Sequence, residues 1–413
     1  MNYNEKQLKA INSHEPKIVV IAPAGSGKTH SLVGAIQKYH SENPLDKIVA
    51  ITFTRKAALE LQSRSFGTNA NCSTIHSWSL KELNKLGVKY RFKVSILQDD
   101  QIQEILQRLS RQCGYYSLNQ YLLFSYVMGN YNVDVPNSVK MKFEKVLRVY
   151  ISFKRENKLY DFTDLPLYLF DMLNLYNDEI TNVDALFVDE FQDVDDVQAQ
   201  IFTKVKAKKY FYIGDPRQSI YLFRGAGPQN LENLTDFTHY ELNINYRSYQ
   251  SIIDYATAVR EFGPGKQLVD INFKIDSDIR CSRIDEPGEV YVVEDDYTVY
   301  DVTNEVEKNT YTILSAFLMK KPYILCRTNK QVKAIEALGY KNVSTIHQAK
   351  GLEYNYVIVT DMTLDTEEEV NIAYVACTRA ENGLLISDHE ILLSMMDSIV
   401  VEYRDDLIGG KLF

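Results

Sequence analysis

The sequence predicts an α/β fold in which parallel sheets are connected by crossover helices. Three observations carry that expectation. Short apolar runs of strand length alternate with helical patterns, first at Lys47–Thr52, Ala185–Asp189, Lys209–Ile213 and Tyr240–Leu242, then at Tyr323–Cys326, Tyr356–Thr360 and Leu384–Ser387. The run Ile18-Val19-Val20-Ile21 passes directly into a loop of small residues and a helix start. The run Ala185-Leu186-Phe187-Val188 ends on two carboxylates, Asp189 and Glu190. Ligands in open α/β sheets lie outside the carboxyl ends of the strands, so both runs point at a site.

The first loop, Ala22-Pro23-Ala24-Gly25-Ser26-Gly27-Lys28-Thr29, ends in the Gly-Lys-Thr of a phosphate-cradling loop. Gly25 and Gly27 let backbone N–H groups approach phosphate oxygens with no Cβ in the way. A helix beginning near Lys28 adds its positive dipole end. Lys28 can reach β- and γ-phosphates, and the Thr29 hydroxyl can ligate Mg²⁺. Ala24, Gly25, Ser26, Gly27, Lys28 and Thr29 are therefore the expected phosphate cradle. Ala22 stands where the usual pattern has its first glycine, and a plain glycine-rich turn is the alternative reading. Asp189 is placed to hold Mg²⁺, and Glu190 to orient or deprotonate an attacking water. The alternative for these two is an acidic helix N-terminus.

Length and composition set outer bounds. A chain of 413 residues suggests two or three domains, and 45% apolar content is enough for real cores. Cys72, Cys113, Cys281, Cys326 and Cys377 contain no close pair, which argues against a zinc site or disulfide framework and fits a reducing cytosol. No apolar run approaches the ~20 residues of a membrane span, and the N-terminus lacks a charged-then-apolar signal. The expected location is the cytoplasm, bacterial or, for a phage-encoded chain, that of the host. A net charge of −9 does not advertise nucleic-acid binding, yet a motor holding a few nucleotides needs only a local positive groove.

Between Trp78 and Asp161 the pattern is helical. Ile96, Leu97, Ile102, Ile105, Leu106 and Leu109 recur at helical spacing, as do Val139, Phe143, Val146, Leu147, Tyr150 and Ile151. Ser138–Lys158 carries seven basic and two acidic residues, which suits either a flank for duplex DNA or a solvated helix face.

Ordered motifs then identify a family. Asp189-Glu190-Phe191-Gln192-Asp193 is followed by Gly214-Asp215-Pro216-Arg217-Gln218-Ser219 and, after it, Ile220-Tyr221-Leu222-Phe223-Arg224-Gly225-Ala226. Asn245-Tyr246-Arg247-Ser248, Thr345-Ile346-His347-Gln348-Ala349-Lys350-Gly351-Leu352-Glu353 and Tyr374-Val375-Ala376-Cys377-Thr378-Arg379-Ala380 complete the series. In this order they closely resemble the motifs of the UvrD/Rep-like helicases of superfamily one, from about Gln7 to Ser387. The Gly-Asp-Pro-Arg-Gln-Ser form is also similar to the helicase halves of recombination helicase–nucleases, but the short tail is expected to hold no nuclease domain.

The resemblance implies two RecA-like P-loop lobes with parallel sheets and a helical insertion (1B) in the first lobe. The expected boundaries are 1–80 and 160–238 for lobe 1A, 81–159 for 1B, and 239–413 for lobe 2A. Relatives carry a further helical insertion, 2B, between an Arg-Thr-Asn stretch and the Thr-Ile-His motif. Here Arg327-Thr328-Asn329 and Thr345 are separated only by Lys330–Ser344, so 2B is expected to be absent.

The resemblance also assigns roles. Gln7 matches the adenine-reading glutamine, and an amide that donates and accepts suits the adenine edge. Tyr246 matches the residue stacked on adenine. Arg247 and Arg379 match the arginines that clamp the γ-phosphate, for which a planar, permanently charged fork is suited. Gln218 and Arg224 match γ-phosphate sensors, and Glu353 matches the ribose contact. For Gln7 the alternative is a solvated helix residue, and for each arginine a surface ion pair. On the DNA side, Phe53, Thr54 and Arg55 resemble one element of a single-strand track, His76 a second, and Tyr221, Phe223 and His347 further contacts. Phe53 and Phe223 read equally as core residues. His30 stands where relatives often carry arginine.

The leading expectation is an ATP-dependent DNA helicase moving 3′→5′, with ATP and Mg²⁺ as cofactors. Its expected partners are single-stranded DNA, single-strand/duplex junctions, and replication or recombination proteins. A monomer and no membrane are expected. The alternatives are a translocase that strips proteins from DNA with little unwinding, and a nucleotide-switched binding ATPase.

Overall fold

The computed structural model describes residues 2–128, 137–221, 227–267, 278–283 and 288–402. Phe223 and Arg224, both expected site residues, lie outside the described residues. Along the chain run α1 (Glu5–Ile11), β1 (Lys17–Ile21), α2 (Lys28–Glu42), β2 (Ile48–Thr52), α3 (Arg55–Arg64), β3 (Ala70–Thr74) and α4 (Ile75–Tyr90). Next are α5 (Asp99–Gln112), α6 (Gln120–Val127), α7 (Asn137–Asn157), α8 (Leu165–Leu175), β4 (Ala185–Val188), α9 (Asp196–Thr203) and β5 (Lys209–Gly214). Then come α10 (Gln229–Glu232), β6 (Thr238–Glu241), β7 (Ile244–Asn245), α11 (Gln250–Phe262), β8 (Lys266–Gln267), β9 (Arg280–Cys281), β10 (Glu289–Val293), β11 (Thr298–Asp301) and β12 (Val306–Asn309). The last are α12 (Thr310–Met319), β13 (Tyr323–Cys326), α13 (Asn329–Ala337), β14 (Val343–Thr345), α14 (Ile346–Ala349), β15 (Tyr354–Thr360), β16 (Thr363–Leu364), α15 (Glu367–Cys377), β17 (Ala380–Ser387) and α16 (His389–Glu402). No described helix is long and apolar enough to cross a membrane.

These elements form two compact units. One comprises Met1–Glu42, Phe187–Asp195 and Lys209–Phe413; the other comprises Asn43–Leu186 and Asp196–Lys208. Strand β4 begins in the second and ends in the first.

In the first unit β1 lies between β5 and β6, parallel to both, with Val19 opposite Tyr212 on one side and His239 on the other. A strand paired on both edges and covered on both faces must be apolar throughout, and Ile18, Val19 and Val20 are fully buried. The same unit holds a seven-stranded sheet in the order β12-β11-β10-β17-β15-β13-β14. Strands β10, β17, β15, β13 and β14 are mutually parallel, whereas β11 and β12 add an antiparallel edge. Val357, Val359, Leu384 and Ile386 point into one buried cluster; Ile358 and Leu385 point into another. That alternation gives the sheet a core on each face and meets the α/β expectation. Strands β10 to β12, β3 and β14 were not anticipated. Strand β3 (Ala-Asn-Cys-Ser-Thr) buries only its first residue fully, so no apolar run announces it. Between Arg327 and Thr345 stand one helix, α13, a turn and β14.

In the second unit β2 and β3 pair in parallel, with Ile48 opposite Ala70. Helices α5, α6 and α7 bury Ile102, Leu106, Leu109, Leu123, Phe143, Val146 and Tyr150 around one another. The helical spacing read from Ile96 is corrected at its start, since α5 begins at Asp99 and the Leu97 N–H instead donates to the Tyr160 carbonyl at 2.7 Å. On α7 one basic residue turns inward. Lys154 is buried, with Nζ donating to Asp161 Oδ2 at 2.7 Å and Asp164 Oδ2 at 2.5 Å, while Tyr150 Oη donates to Asp161 at 2.9 Å. Burial opposes the Asp161 charge, but Lys154 holds its carboxyl below the usual range; burial and the charge of Asp161 push Asp164 above it.

Removing the cation strands one buried carboxylate, Asp161, and one half-buried, Asp164. Lys154→Ala is expected to destabilise this unit by about 3–5 kcal/mol, read as a lowered denaturation midpoint. An unchanged midpoint would show that the cluster contributes no stability.

Candidate nucleotide-binding site

The first unit carries the loop between β1 and α2. Its backbone turns through left-handed conformations at Gly25 (φ +71°) and Gly27 (φ +80°), which glycine adopts without strain. The reason at Gly25 is also steric. A Cβ there would lie 2.5 Å from Asn245 Oδ1, so the loop and the β7 turn meet only because Gly25 has no side chain. Asn245 is buried; its Nδ2 donates to the Ala24 carbonyl at 2.9 Å, and its Oδ1 accepts from the N–H groups of Arg247 (2.7 Å) and Ser248 (2.9 Å). Ser26 Oγ donates to the Pro23 carbonyl at 2.7 Å and closes the loop internally. The turn thus runs from Ala24 to Gly27, and Ala22 sits at the strand end, its N–H bonded to the Gly214 carbonyl at 2.9 Å.

At the end of β4, Asp189 and Glu190 meet this loop. Thr29 Oγ1 donates to Asp189 Oδ2 at 3.0 Å, and Lys28 Nζ lies 3.9 Å from Glu190 Oε2. Glu190 has φ +52°, a conformation costly for a residue with a side chain and concentrated at functional sites. Gln192 Nε2 donates to Glu190 Oε2 at 2.6 Å, while its Oε1 accepts from the Asp215 N–H at 2.9 Å. Burial, then the neighbouring Glu190 charge, raises the Asp189 carboxyl to about 7. Burial opposes the Glu190 charge too, but Lys28 and Lys350 outweigh it and hold that carboxyl below its usual range. Two adjacent carboxylates are thereby driven apart, the pattern by which one site assigns different roles to like groups.

The structure adds Lys350, which the sequence had not singled out. Its Nζ donates to both oxygens of Asp193 (2.8 and 2.6 Å) and to the Gln218 carbonyl (2.8 Å), and lies 4.7 Å from the Tyr221 ring centre. Gln218 Nε2 donates to Asp215 Oδ2 at 2.7 Å. Lys350, Asp193 and Asn245 all stand inside the recognised motifs, but only folding reveals their partners.

The two expected arginines are engaged. Arg379 is 2% exposed; Nε donates to the Val375 carbonyl and Nη1 to the Leu352 carbonyl, each at 3.0 Å. Burial lowers its guanidinium to about 9, leaving it charged at neutral pH, and Glu190 favours that charge. Arg247 Nε donates to Glu353 Oε2 at 2.8 Å and Nη1 to the Thr378 carbonyl at 3.2 Å. Gln7 is buried, and its Nε2 donates to the Ser26 carbonyl at 3.1 Å, so it is not a solvated residue.

The expected DNA contacts fall in separate places. In the first unit Tyr221 and His347 have ring centres 6.1 Å apart. In the second, Thr54 Oγ1 caps α3 by accepting from the Ala57 N–H at 3.1 Å, beside half-buried Phe53 and exposed Arg55. His76 stacks on half-exposed Phe162 at 5.6 Å. His30 lies 4.5 Å from the Tyr3 ring.

Gly25→Ala and Asn245→Ala should each destabilise. The first adds an unfavourable φ worth about 1–2 kcal/mol plus a clash; the second strands buried polar groups worth about 1–3 kcal/mol. The double variant should lose less than the sum, because Asn245→Ala opens the space that the new methyl needs. Strict additivity in denaturation curves would refute the contact. His347 gives a pH prediction. Burial, then the charges of Arg327 and Lys350, lower its ring to about 4, against a backbone hydrogen bond to Ile220 and the Glu369 charge. The unfolded chain takes up this proton first, so stability should rise with pH between about 4 and 6.5 and level off above. His347→Gln should remove roughly 1–3 kcal/mol of that rise, measured as denaturation midpoints across the window; an unchanged slope would place the titration elsewhere.

Residues 3–239 match the UvrD/REP helicase N-terminal domain, and residues 342–387 match the UvrD-like helicase C-terminal domain. A probable DNA helicase II homolog of Mycoplasma capricolum is 29% identical over 292 residues, covering 62% of this chain and 40% of that protein. The ATP-dependent DNA helicase Rep of Buchnera aphidicola is 30% identical over 368 residues, covering 81% and 53%. The Gabija protein GajB of Bacillus cereus is 25% identical over an alignment of 500 residues, covering 94% and 96%. The chain therefore spans about half or less of the first two relatives and nearly all of the third. With more than half its length matching the N-terminal family domain and the C-terminal motifs also matched, the chain belongs to the UvrD/Rep helicase family.

Proposed function

We propose that this protein is an ATP-driven motor on single-stranded DNA, a helicase that moves 3′→5′ and couples ATP hydrolysis to strand separation. The observation that carries the reading is the meeting of the phosphate loop with two carboxylates: Thr29 Oγ1 at 3.0 Å from Asp189 and Lys28 Nζ at 3.9 Å from Glu190. Family membership supports the polarity and the DNA substrate. The proposed architecture is lobe 1A (1–80 and 160–238), the 1B insertion (81–159) and lobe 2A (239–413) without 2B.

In this reading the backbone N–H groups of Gly25, Ser26 and Gly27, with Lys28, bind the ATP phosphates. Gln7 reads the adenine and Tyr246 stacks on it. Glu190 orients the attacking water and takes its proton, a role suited to a carboxylate that Lys28 and Lys350 keep ionised. Arg247, Arg379, Gln218 and Arg224 respond to the γ-phosphate, and Glu353 meets the ribose. The hydroxyl and carboxylate oxygens of Thr29 and Asp189 fit a hard cation, and these residues would hold Mg²⁺ together with phosphate and water. When bound, that ion neutralises phosphate charge. Among the described residues no three His, Cys, Asp or Glu side chains gather into a separate metal site. Phe53, Thr54, Arg55, His76, Tyr221, Phe223 and His347 contact the strand by stacking and phosphate bonds. The protein acts as a cytoplasmic monomer at single-strand/duplex junctions, alongside replication or recombination proteins.

Lys28→Ala is expected to abolish ATP turnover. Glu190→Gln should retain ATP binding while slowing hydrolysis by about 10² to 10⁴; near-normal turnover at saturating ATP and DNA would remove Glu190 from its role. Wild-type ATPase should rise with added single-stranded DNA, and a 3′-tailed duplex should be unwound. Stimulation without unwinding would indicate a translocase, and absence of stimulation a nucleotide-switched binding ATPase.

A further inference from the structure

The residue Asn4, just before α1, makes three bonds that belong to one circuit. Its Oδ1 accepts from the Gln7 N–H at 2.8 Å, which fixes the amide so that Nδ2 faces the other way. That Nδ2 donates to Tyr246 Oη at 2.7 Å, across 242 positions of sequence. The Asn4 N–H donates to Gln7 Oε1 at 2.9 Å, so the Gln7 amide is oriented as well, with Nε2 on the Ser26 carbonyl at 3.1 Å. The circuit closes through the phosphate loop, because the Tyr246 N–H donates to the Gly25 carbonyl at 2.8 Å. Gln7 also packs against the loop: a Cβ on Gly27 would lie 3.0 Å from Gln7 Nε2.

We propose that Asn4 is a positioning residue of the base pocket, tying the Gln7 amide to the Tyr246 ring so that the two grip a 6-aminopurine as one unit. The proposal rests on the ATP reading above. The two bonds that orient Gln7 leave its amide one N–H and one oxygen lone pair, a donor–acceptor pair complementary to the N7 and 6-amino groups of adenine. Tyr246 supplies a stacking face, and it is 45% exposed, so its ring is available on one side while Asn4 holds its hydroxyl. Untying the ring leaves both groups in place but no longer correlated, and a preorganised site loses affinity when its parts must be ordered on binding.

The test is a double-mutant cycle with Asn4→Ser and Tyr246→Phe. Serine is as good a helix cap as asparagine, so α1 keeps its start, but its single hydroxyl is committed to the Gln7 N–H and cannot span to Tyr246. Phenylalanine keeps the stacking face. Each single variant should raise KM for ATP about three- to tenfold with kcat changed less than about twofold, and should weaken binding of fluorescent ADP by the same factor. The double variant should be no worse than either single one. Multiplicative losses in the double variant, or an unchanged KM and ADP affinity in either single one, would overturn the proposal. Melting temperatures of all four proteins should agree, which a merely structural Asn4 would not allow. ADP binding without ATP turnover in the wild type would overturn the motor reading while the cycle in ADP affinity still decides the role of Asn4.

Discussion

The close approach of Asn245 to Gly25 is the constraint on which the site depends. A loop proposed to bind phosphate must present bare N–H groups, and so cannot spend its backbone on a regular ladder. Its outward carbonyls still need partners. The Asn245 amide serves one of them, at Ala24, and with its other end holds the N–H groups of the turn that carries Arg247. One side chain therefore fixes the loop and the arginine turn to each other. The absence of a Cβ at Gly25 is what lets that amide in.

Charge is the second organising element. Lys28, Lys350, Arg379, Asp189, Glu190 and Asp193 are all largely or fully buried. Bringing unpaired charges out of water is prohibitive, and here each cation sits against a carboxylate or a row of main-chain carbonyls. The pairing is unequal. Lys350 is spent on Asp193 and the Gln218 carbonyl, whereas Lys28 stands off Glu190 at 3.9 Å, beyond hydrogen-bond reach. A lysine paired that loosely retains donors for an anion. Asp193, pushed up by burial to about 6 and held down by Lys350, marks how finely the local balance is set.

Much of the fold was legible because buried parallel strands must be apolar along their whole length. Strands β2, β4 and β5 end within one residue of the runs read from sequence, β6 and β15 within two and β17 within four, and β13 matches its run at both ends. What escaped was structure whose stabilisation is borrowed from elsewhere. Strand β3 is mostly polar and is held by its pairing to β2; α5 starts after its apolar spacing does, because Leu97 bonds to Tyr160 instead of continuing a helix.

By itself the sequence determined which chemical groups exist and which are local. The glycines of the loop, the Gly-Lys-Thr helix start and the adjacent carboxylates are set by neighbouring residues, and so could be recognised without a fold. Tertiary structure alone decided pairing. That Thr29 faces Asp189 across 160 positions, that Lys350 serves Asp193, and that Asn4 reaches Tyr246 are consequences of chain crossings. Such contacts leave no periodic trace, because a side chain's long-range partner depends on where the backbone returns and not on the residues beside it.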